Sequence, residues 1–280
     1  MASSISGPES ITLAVPSATL LLLRERASRL EVLMLKRRAD LAFMGGLWAF
    51  PGGRSEEEDR QHADRYVISG GYLESIASRF LDPQGASLPP QAALQMMMTA
   101  CRETLEECGV RVERAGAGGR YDFDALTYWA QWVTPSVAQR RYDTRFFALA
   151  MPPAASVVVD LSESSEHAWV DVSRAAELDA SGAVRVSPPT LVVLHDLRLS
   201  FEAHGSMPQM LQAERQRPVP PLMPRTQRVG GEVVAVMPWD PLYPELDGQG
   251  LSLQRDLPAH LQRLADRGIM RYPAVVDLRA

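Results

Sequence analysis

Cysteine is nearly absent from this 280-residue chain, which has two, Cys101 and Cys108. On one helix they would be separated by a rise of about 10 Å, too far for a disulfide, so they read as core thiols. Histidine is also scarce. His62, His167, His195, His204 and His260 form no close pair, which excludes a zinc site of the usual Cys/His spacing and leaves oxygen to hold any metal. Long hydrophobic runs are missing: Leu20-Leu21-Leu22-Leu23 is stopped by Arg24, Glu25 and Arg26, far short of the roughly 20 residues a membrane span requires. Residues 1–6 lack the basic start and apolar core of a secretory signal and read as a frayed end, so a cytoplasmic protein with no membrane partner is expected. Charge of one sign is not in excess either. A net charge of -5 gives no general attraction to nucleic acid, and no nucleic-acid partner is expected. Repeats and low-complexity tracts are missing too.

What is present is an ordinary globular composition, 46% hydrophobic and 22% charged, over a length that can bury a full core. Residues 12–23 and 30–35 are rich in apolar and β-branched side chains and predict two strands joined by a turn over the charged residues 24–29. Phe43-Met44-Gly45-Gly46-Leu47-Trp48-Ala49-Phe50-Pro51-Gly52-Gly53 places four glycines and a proline around a short aromatic strand, and such glycines allow close approach of backbone to a ligand. Residues 54–90 turn acidic and polar, with a short helix expected over 72–80, and read as an excursion outside the core. Further strands are expected at 126–134, 144–151, 167–172 and 229–237, and helices at 188–204 and 207–217. The pattern predicts a single domain over 1–280 with an insertion at 60–90 and a C-terminal extension from about 180 to 280. Trp48, Trp129 and Trp132 read as core residues of the strands.

The chemistry concentrates between Pro90, suited to the first turn of a helix, and Gly109, suited to end it. At 100° per residue Leu94, Met98, Cys101, Leu105 and Cys108 share a stripe about 80° wide that should face the core. Glu103, Glu106 and Glu107 point the other way. Glu103 and Glu107, four residues apart, repel unless a cation intervenes, and hard cations such as Mg2+ take oxygen ligands of this kind.

Arg102-Glu103-Thr104-Leu105-Glu106-Glu107-Cys108-Gly109-Val110 resembles the second half of the Nudix box, departing from the pattern at Thr104, where a bulky aliphatic residue is usual. The first half of that box is a glycine with a glutamate six residues on, usually after Pro-Gly. Pro51-Gly52-Gly53 supplies the start, but the sixth residue beyond Gly53 is Asp59, and 42 residues intervene before Arg102. An interruption of this length is tolerable because loop-closure entropy grows only logarithmically. Asp59 either replaces the usual glutamate as an outer carboxylate or is an acidic loop residue. The interrupted box, with Arg37, Gly46-x3-Phe50-Pro51-Gly52-Gly53 and Arg141-Tyr142-Asp143-Thr144-Arg145-Phe146-Phe147, is similar to the Nudix branch typified by peroxisomal acyl-coenzyme A diphosphatases. The likeness spans roughly residues 12–175.

The resemblance implies an α/β (α+β) fold, a Nudix α/β/α sandwich with a central mixed sheet and extra C-terminal helices. It also implies metal-dependent hydrolysis of a diphosphate bond. Glu103, Glu106 and Glu107 would hold Mg2+ or Mn2+. Glu106, Glu107, Arg102 and the later Glu166 would be catalytic, with Arg102 orienting the carboxylates, and Arg37, Gly52, Gly53 and Arg145 would bind substrate. The partner would be a small-molecule diphosphate, with coenzyme A or acyl-coenzyme A preferred. In the coenzyme A signature Leu35 stands where a threonine is usual and Ala42 where an arginine is usual, so ADP-ribose or a dinucleotide is the alternative within the class. A non-catalytic Nudix-like regulator is the alternative outside it. The C-terminal extension would cover the substrate cleft or supply a homodimer surface.

Overall fold

A computed structural model describes residues 12–41, 44–60 and 64–274. Residues 1–6, Ala42, Phe43 and His62 lie outside the described residues. The chain begins with a hairpin, β1 (Val15–Arg26) and β2 (Arg29–Arg37). The expected turn is tighter than the charge pattern predicts. Ala27 and Ser28, at φ 49° and 57°, make the whole loop, the positive-φ two-residue connection that matches strand twist. Arg24 is a strand residue facing Glu31 across the hairpin, at 2.6 Å.

The remaining strands are β3 (Trp48–Ala49), β4 (Gly52–Arg54), β5 (Tyr66–Val67), β6 (Tyr121–Asp122), β7 (Thr127–Val133), β8 (Tyr142–Ala150), β9 (Ser164–Asp171), β10 (Pro221–Leu222), β11 (Arg225–Val229), β12 (Glu232–Val236) and β13 (Arg271–Pro273). The helices are α1 (Gly70–Ala77), α2 (Pro90–Cys108), α3 (Ala175–Ala180), α4 (Pro188–His204), α5 (Met207–Glu214) and α6 (Ala259–Asp266). Eight strands form the main sheet in the order β10-β7-β8-β1-β2-β3, with β4 also on β1 and β9 on β2. It is mixed: β1 runs parallel to β8, and β10 to β7, while the other pairs are antiparallel.

Strand alternation divides the core in two. Leu20, Leu22, Leu33, Leu35, Phe147 and Leu149 face one side with α1 and α2, while Leu21, Leu23, Val32, Met34, Phe146 and Ala148 face the other with α4 and α6. The result is an α/β/α sandwich. Leu35, at the position where a threonine is usual, is 2% exposed in the α2-side core and offers no hydroxyl to a ligand.

Helix α2 starts at Pro90 and stops at Gly109, whose φ of 69° and N–H bond to the Leu105 carbonyl make a left-handed cap. Its buried stripe is rotated from the expected one. Ala93, Met97, Ala100, Cys101, Thr104 and Cys108 are fully buried, whereas Leu94 and Leu105 are only partly covered. Thr104 fits there because its hydroxyl donates to the Ala100 carbonyl at 2.7 Å, satisfying the polar group inside the core.

The segment between β4 and α2 does more than the expected excursion. Tyr72, Ile76 and Phe80 are buried against α2 and β7, β5 pairs with β6, and the Tyr72 hydroxyl donates to the Leu126 carbonyl. In the last hundred residues the expected helices are found at α4 and α5, and the expected strand at 229–237 is a β11–β12 hairpin extended by β13.

Candidate active site

Pairing of β4 with β1, Gly52 opposite Thr19 and Gly53 opposite Ala18, lays the Pro51-Gly52-Gly53 turn along the exposed edge of α2. The Gly52 N–H donates to Glu107 Oε2 at 2.8 Å. A side chain at Gly52 would stand 2.5 Å from the Ala18 carbonyl oxygen and 2.7 Å from Thr19 Cα, and one at Gly53 would stand 2.5 Å from Glu103 Oε1. Gly52 is therefore demanded by backbone contact, while Gly53 leaves the space that the Glu103 carboxylate occupies.

Arg102 is the hub. Its guanidinium donates to Asp59 Oδ1 at 2.8 Å and Oδ2 at 3.1 Å, to the Arg54 carbonyl at 2.9 Å, to Glu103 Oε1 at 2.9 Å and to Glu106 Oε2 at 2.9 Å. The bidentate pair with Asp59 joins residues 43 positions apart in the chain. Asp59 is buried and also accepts from Thr99 Oγ1 and the Glu56 N–H. Burial alone would raise its carboxyl, but these bonds, with Arg102 foremost, hold it below the ordinary range. Asp59 is thus a clamp on the arginine that sets two of the three glutamates.

Burial pushes the Glu107 carboxyl up to about 8, assisted by the like charges of Glu103 and Glu163 and resisted by the Gly52 N–H and Arg37. Glu103 is raised as well, again by burial, despite Arg102. Two backbone bonds bring the later loop into place, Val158 N–H to the Cys108 carbonyl and Asp160 N–H to the Glu107 carbonyl, both at 2.9 Å. They satisfy carbonyls left open at the helix end and carry Glu163 toward the cluster.

Two expected site residues are not brought to it. Glu166 lies opposite Lys36 across β9 and β2, ion-paired at 2.6 Å, with its side chain half exposed. The pairing register spends it on the surface, and Glu163, three residues earlier, is the later carboxylate whose charge reaches Glu103 and Glu107. Arg145 is 2% exposed on the α2-side face of β8, paired with Asp143 at 2.5 Å, bonded to the Leu81 carbonyl at 2.8 Å and stacked 5.1 Å over Phe80. A buried cation requires such partners, and both of its terminal amino groups are engaged there. Arg37, by contrast, lies close enough to act on Glu107.

Among the described residues no three Asp, Glu, His or Cys side chains are preassembled as a metal cage; Glu103 and Glu106 are turned to Arg102 and Glu107 to Gly52. The donor chemistry nonetheless suits a hard divalent cation. It is oxygen only, with two half-buried carboxylates, Glu103 and Glu107, held at raised proton affinity among like charges, the situation a cation relieves.

No family model matches the chain. The fold is that of a solved NUDIX hydrolase from Alicyclobacillus acidocaldarius, with a TM-score of 0.57 and 24% identity over 72% of this chain and 97% of that one. The Caenorhabditis elegans protein assigned the name nudix hydrolase 7 is 25% identical over 189 residues. The chain is thus similar to Nudix hydrolases in sequence and in fold. That Nudix alignment covers 66% of this chain and 61% of the relative, so the chain spans somewhat less than two thirds of the worm protein's length. A second Nudix relative, acyl-coenzyme A diphosphatase NUDT19 of Xenopus laevis, is 22% identical over 79% of this chain and 73% of its own.

Proposed function

We propose that this Nudix chain hydrolyses a diphosphate bond with Mg2+ or Mn2+, and that its preferred substrate is coenzyme A or acyl-coenzyme A. The observation that carries the reading is the Arg102 hub, which joins Asp59 before the insertion to Glu103 and Glu106 after it and so closes an interrupted box in space. The substrate preference is supported by the likeness to a relative named acyl-coenzyme A diphosphatase.

Glu103, Glu106 and Glu107 would hold the metal, which when bound neutralises phosphate charge and lowers the pKa of water. The chain's own residues supply the rest. Arg102 fixes the rotamers of Glu103 and Glu106. Glu107, with its raised carboxyl and its bond from Gly52, is suited to take a proton, and Glu163 is the neighbouring alternative. Arg37, whose charge acts on Glu107, would contribute its guanidinium to the diphosphate.

The test is incubation with Mg2+ or Mn2+ and a panel of coenzyme A, octanoyl-coenzyme A, ADP-ribose and a diadenosine polyphosphate. The expected products are adenosine 3',5'-bisphosphate and a phosphopantetheine. Turnover of ADP-ribose or the dinucleotide with the coenzyme A compounds untouched would replace the substrate, and no turnover of any would sink the enzyme reading.

A further inference from the structure

On the face of the main sheet opposite α2 lies a cavity of about 200 Å3. One wall belongs to the loop that carries the carboxylate-binding glycines: Ala49 and Phe50 lead directly into Pro51-Gly52, and Thr19 is the β1 residue paired with Gly52. The other wall comes from the C-terminal extension, through Pro188, Pro189, Pro224, Ala235 and Ala274. The cavity therefore adjoins the Gly52 turn from the far side of the sheet and exists only because the extension folds against it.

Its chemistry is selective. Among the described residues that line it there is no Lys, Arg, His, Asp or Glu. Its hydroxyls are largely occupied at home: Thr144 with Ser17 at 2.7 Å, Ser187 with Thr190 at 2.9 Å, Thr134 with the Tyr142 backbone, and the Tyr142 hydroxyl accepting from Arg54. Thr19 and the buried Nε1–H of Trp132 are the polar groups not so engaged, and Trp132 also borders a second, far smaller cavity. The N-terminus of α4 opens here, which would ordinarily favour an anion. Pro188 and Pro189 have no N–H, and the Thr190 N–H points to Ser187 Oγ. Two of the donors that make a helix end anion-binding are absent and a third is engaged.

A phosphorylated nucleoside placed here would bury charge with no cation and a base edge with few partners, both costly. An alkyl chain would lose nothing. We infer that this cavity receives the uncharged acyl end of the substrate, so that the C-terminal extension sets chain preference. The identity of the substrate rests on the diphosphatase reading above; the preference for an uncharged chain over a nucleotide rests on the cavity alone.

Two measurements separate the two. Calorimetric titration with octanoyl-pantetheine, which has no diphosphate, is expected to show saturable binding that adenosine 3',5'-bisphosphate does not compete for. In kinetics, kcat/KM is expected to rise by about fourfold per added acyl methylene until the cavity is filled. Ala235→Leu should lower the octanoyl-coenzyme A to coenzyme A ratio by about tenfold or more, and Phe146→Ala should shift the optimum to longer chains. Absence of octanoyl-pantetheine binding to the unmodified protein, or its displacement by adenosine 3',5'-bisphosphate, overturns the inference. Binding without any coenzyme A turnover supports it while removing the diphosphatase reading, and wild-type binding decides the matter even where a variant fails to fold.

Discussion

On the α2 face of the main sheet Arg102, Asp59, Glu103 and Glu106 are locked in one ion-pair network beside a half-buried Glu107, whereas the cavity on the α4 face has, among the described residues, no Lys, Arg, His, Asp or Glu in its lining and little hydrogen-bonding capacity to spare. The cavity's Ala49 and Phe50 lead directly into the Pro51-Gly52 turn that meets Glu107. A substrate with a charged middle and an uncharged end could use both at once, each face refusing the part the other accepts. The difference shows that charge near one face is useful because it is organised by a hub, while polarity on the other is neutralised by internal pairing before a ligand arrives.

The comparison breaks hardest at Glu107. Glu107→Gln keeps the Gly52 bond but removes the charge, and is expected to cut turnover by on the order of 10³-fold while the fold survives. Divalent metal should raise the melting temperature of the wild type and not that of the variant, read by thermal unfolding. Equal metal stabilisation of both would separate this face from metal binding.

Asp59→Asn comes next. It leaves Arg102 largely buried with half its clamp, costing about 3 kcal/mol in denaturant unfolding and 10- to 100-fold in activity. Because the Asp59 carboxyl is held below its ordinary value, its pairing stabilises the fold fully above about pH 4 and is lost as pH falls through the lowered value. The variant should lose that part of the acid-unfolding slope, and an unchanged slope would refute the clamp.

Glu163→Gln against Glu166→Gln sharpens the comparison at smaller scale. The first should reduce kcat by about 10-fold. The second removes an exposed ion pair worth under about 1 kcal/mol and should leave rate and stability within error. Smallest of all, Thr104→Val removes one internal hydroxyl bond and should change stability by no more than about 1 kcal/mol in either direction, with activity intact.

Much of this was legible in the residues. Helix α2 has the boundaries its proline and glycine announce, and its carboxylates face outward as the 3.6-residue period requires. The rotation of its buried stripe was not legible, because a threonine that bonds its own helix counts as polar in a pattern and as core in the fold. Glu163 and Glu166 lie in one short stretch, Glu163-Ser164-Ser165-Glu166, and only the pairing of Glu166 with Lys36 tells which is spent. Arg145 reads as a phosphate ligand from its type, yet strand alternation turns it inward to Asp143. The α4-side cavity is assembled from positions 19 to 274, and no local pattern encodes such a convergence.

The bond between Asp59 and Arg102 spans 43 positions of chain. The likeness to the box thus rests on neighbours in space, and the count of residues between its halves is a free variable. A pattern that fixes the distance from Gly53 to Arg102 passes over such a chain, whereas one that asks which acid touches which arginine finds it.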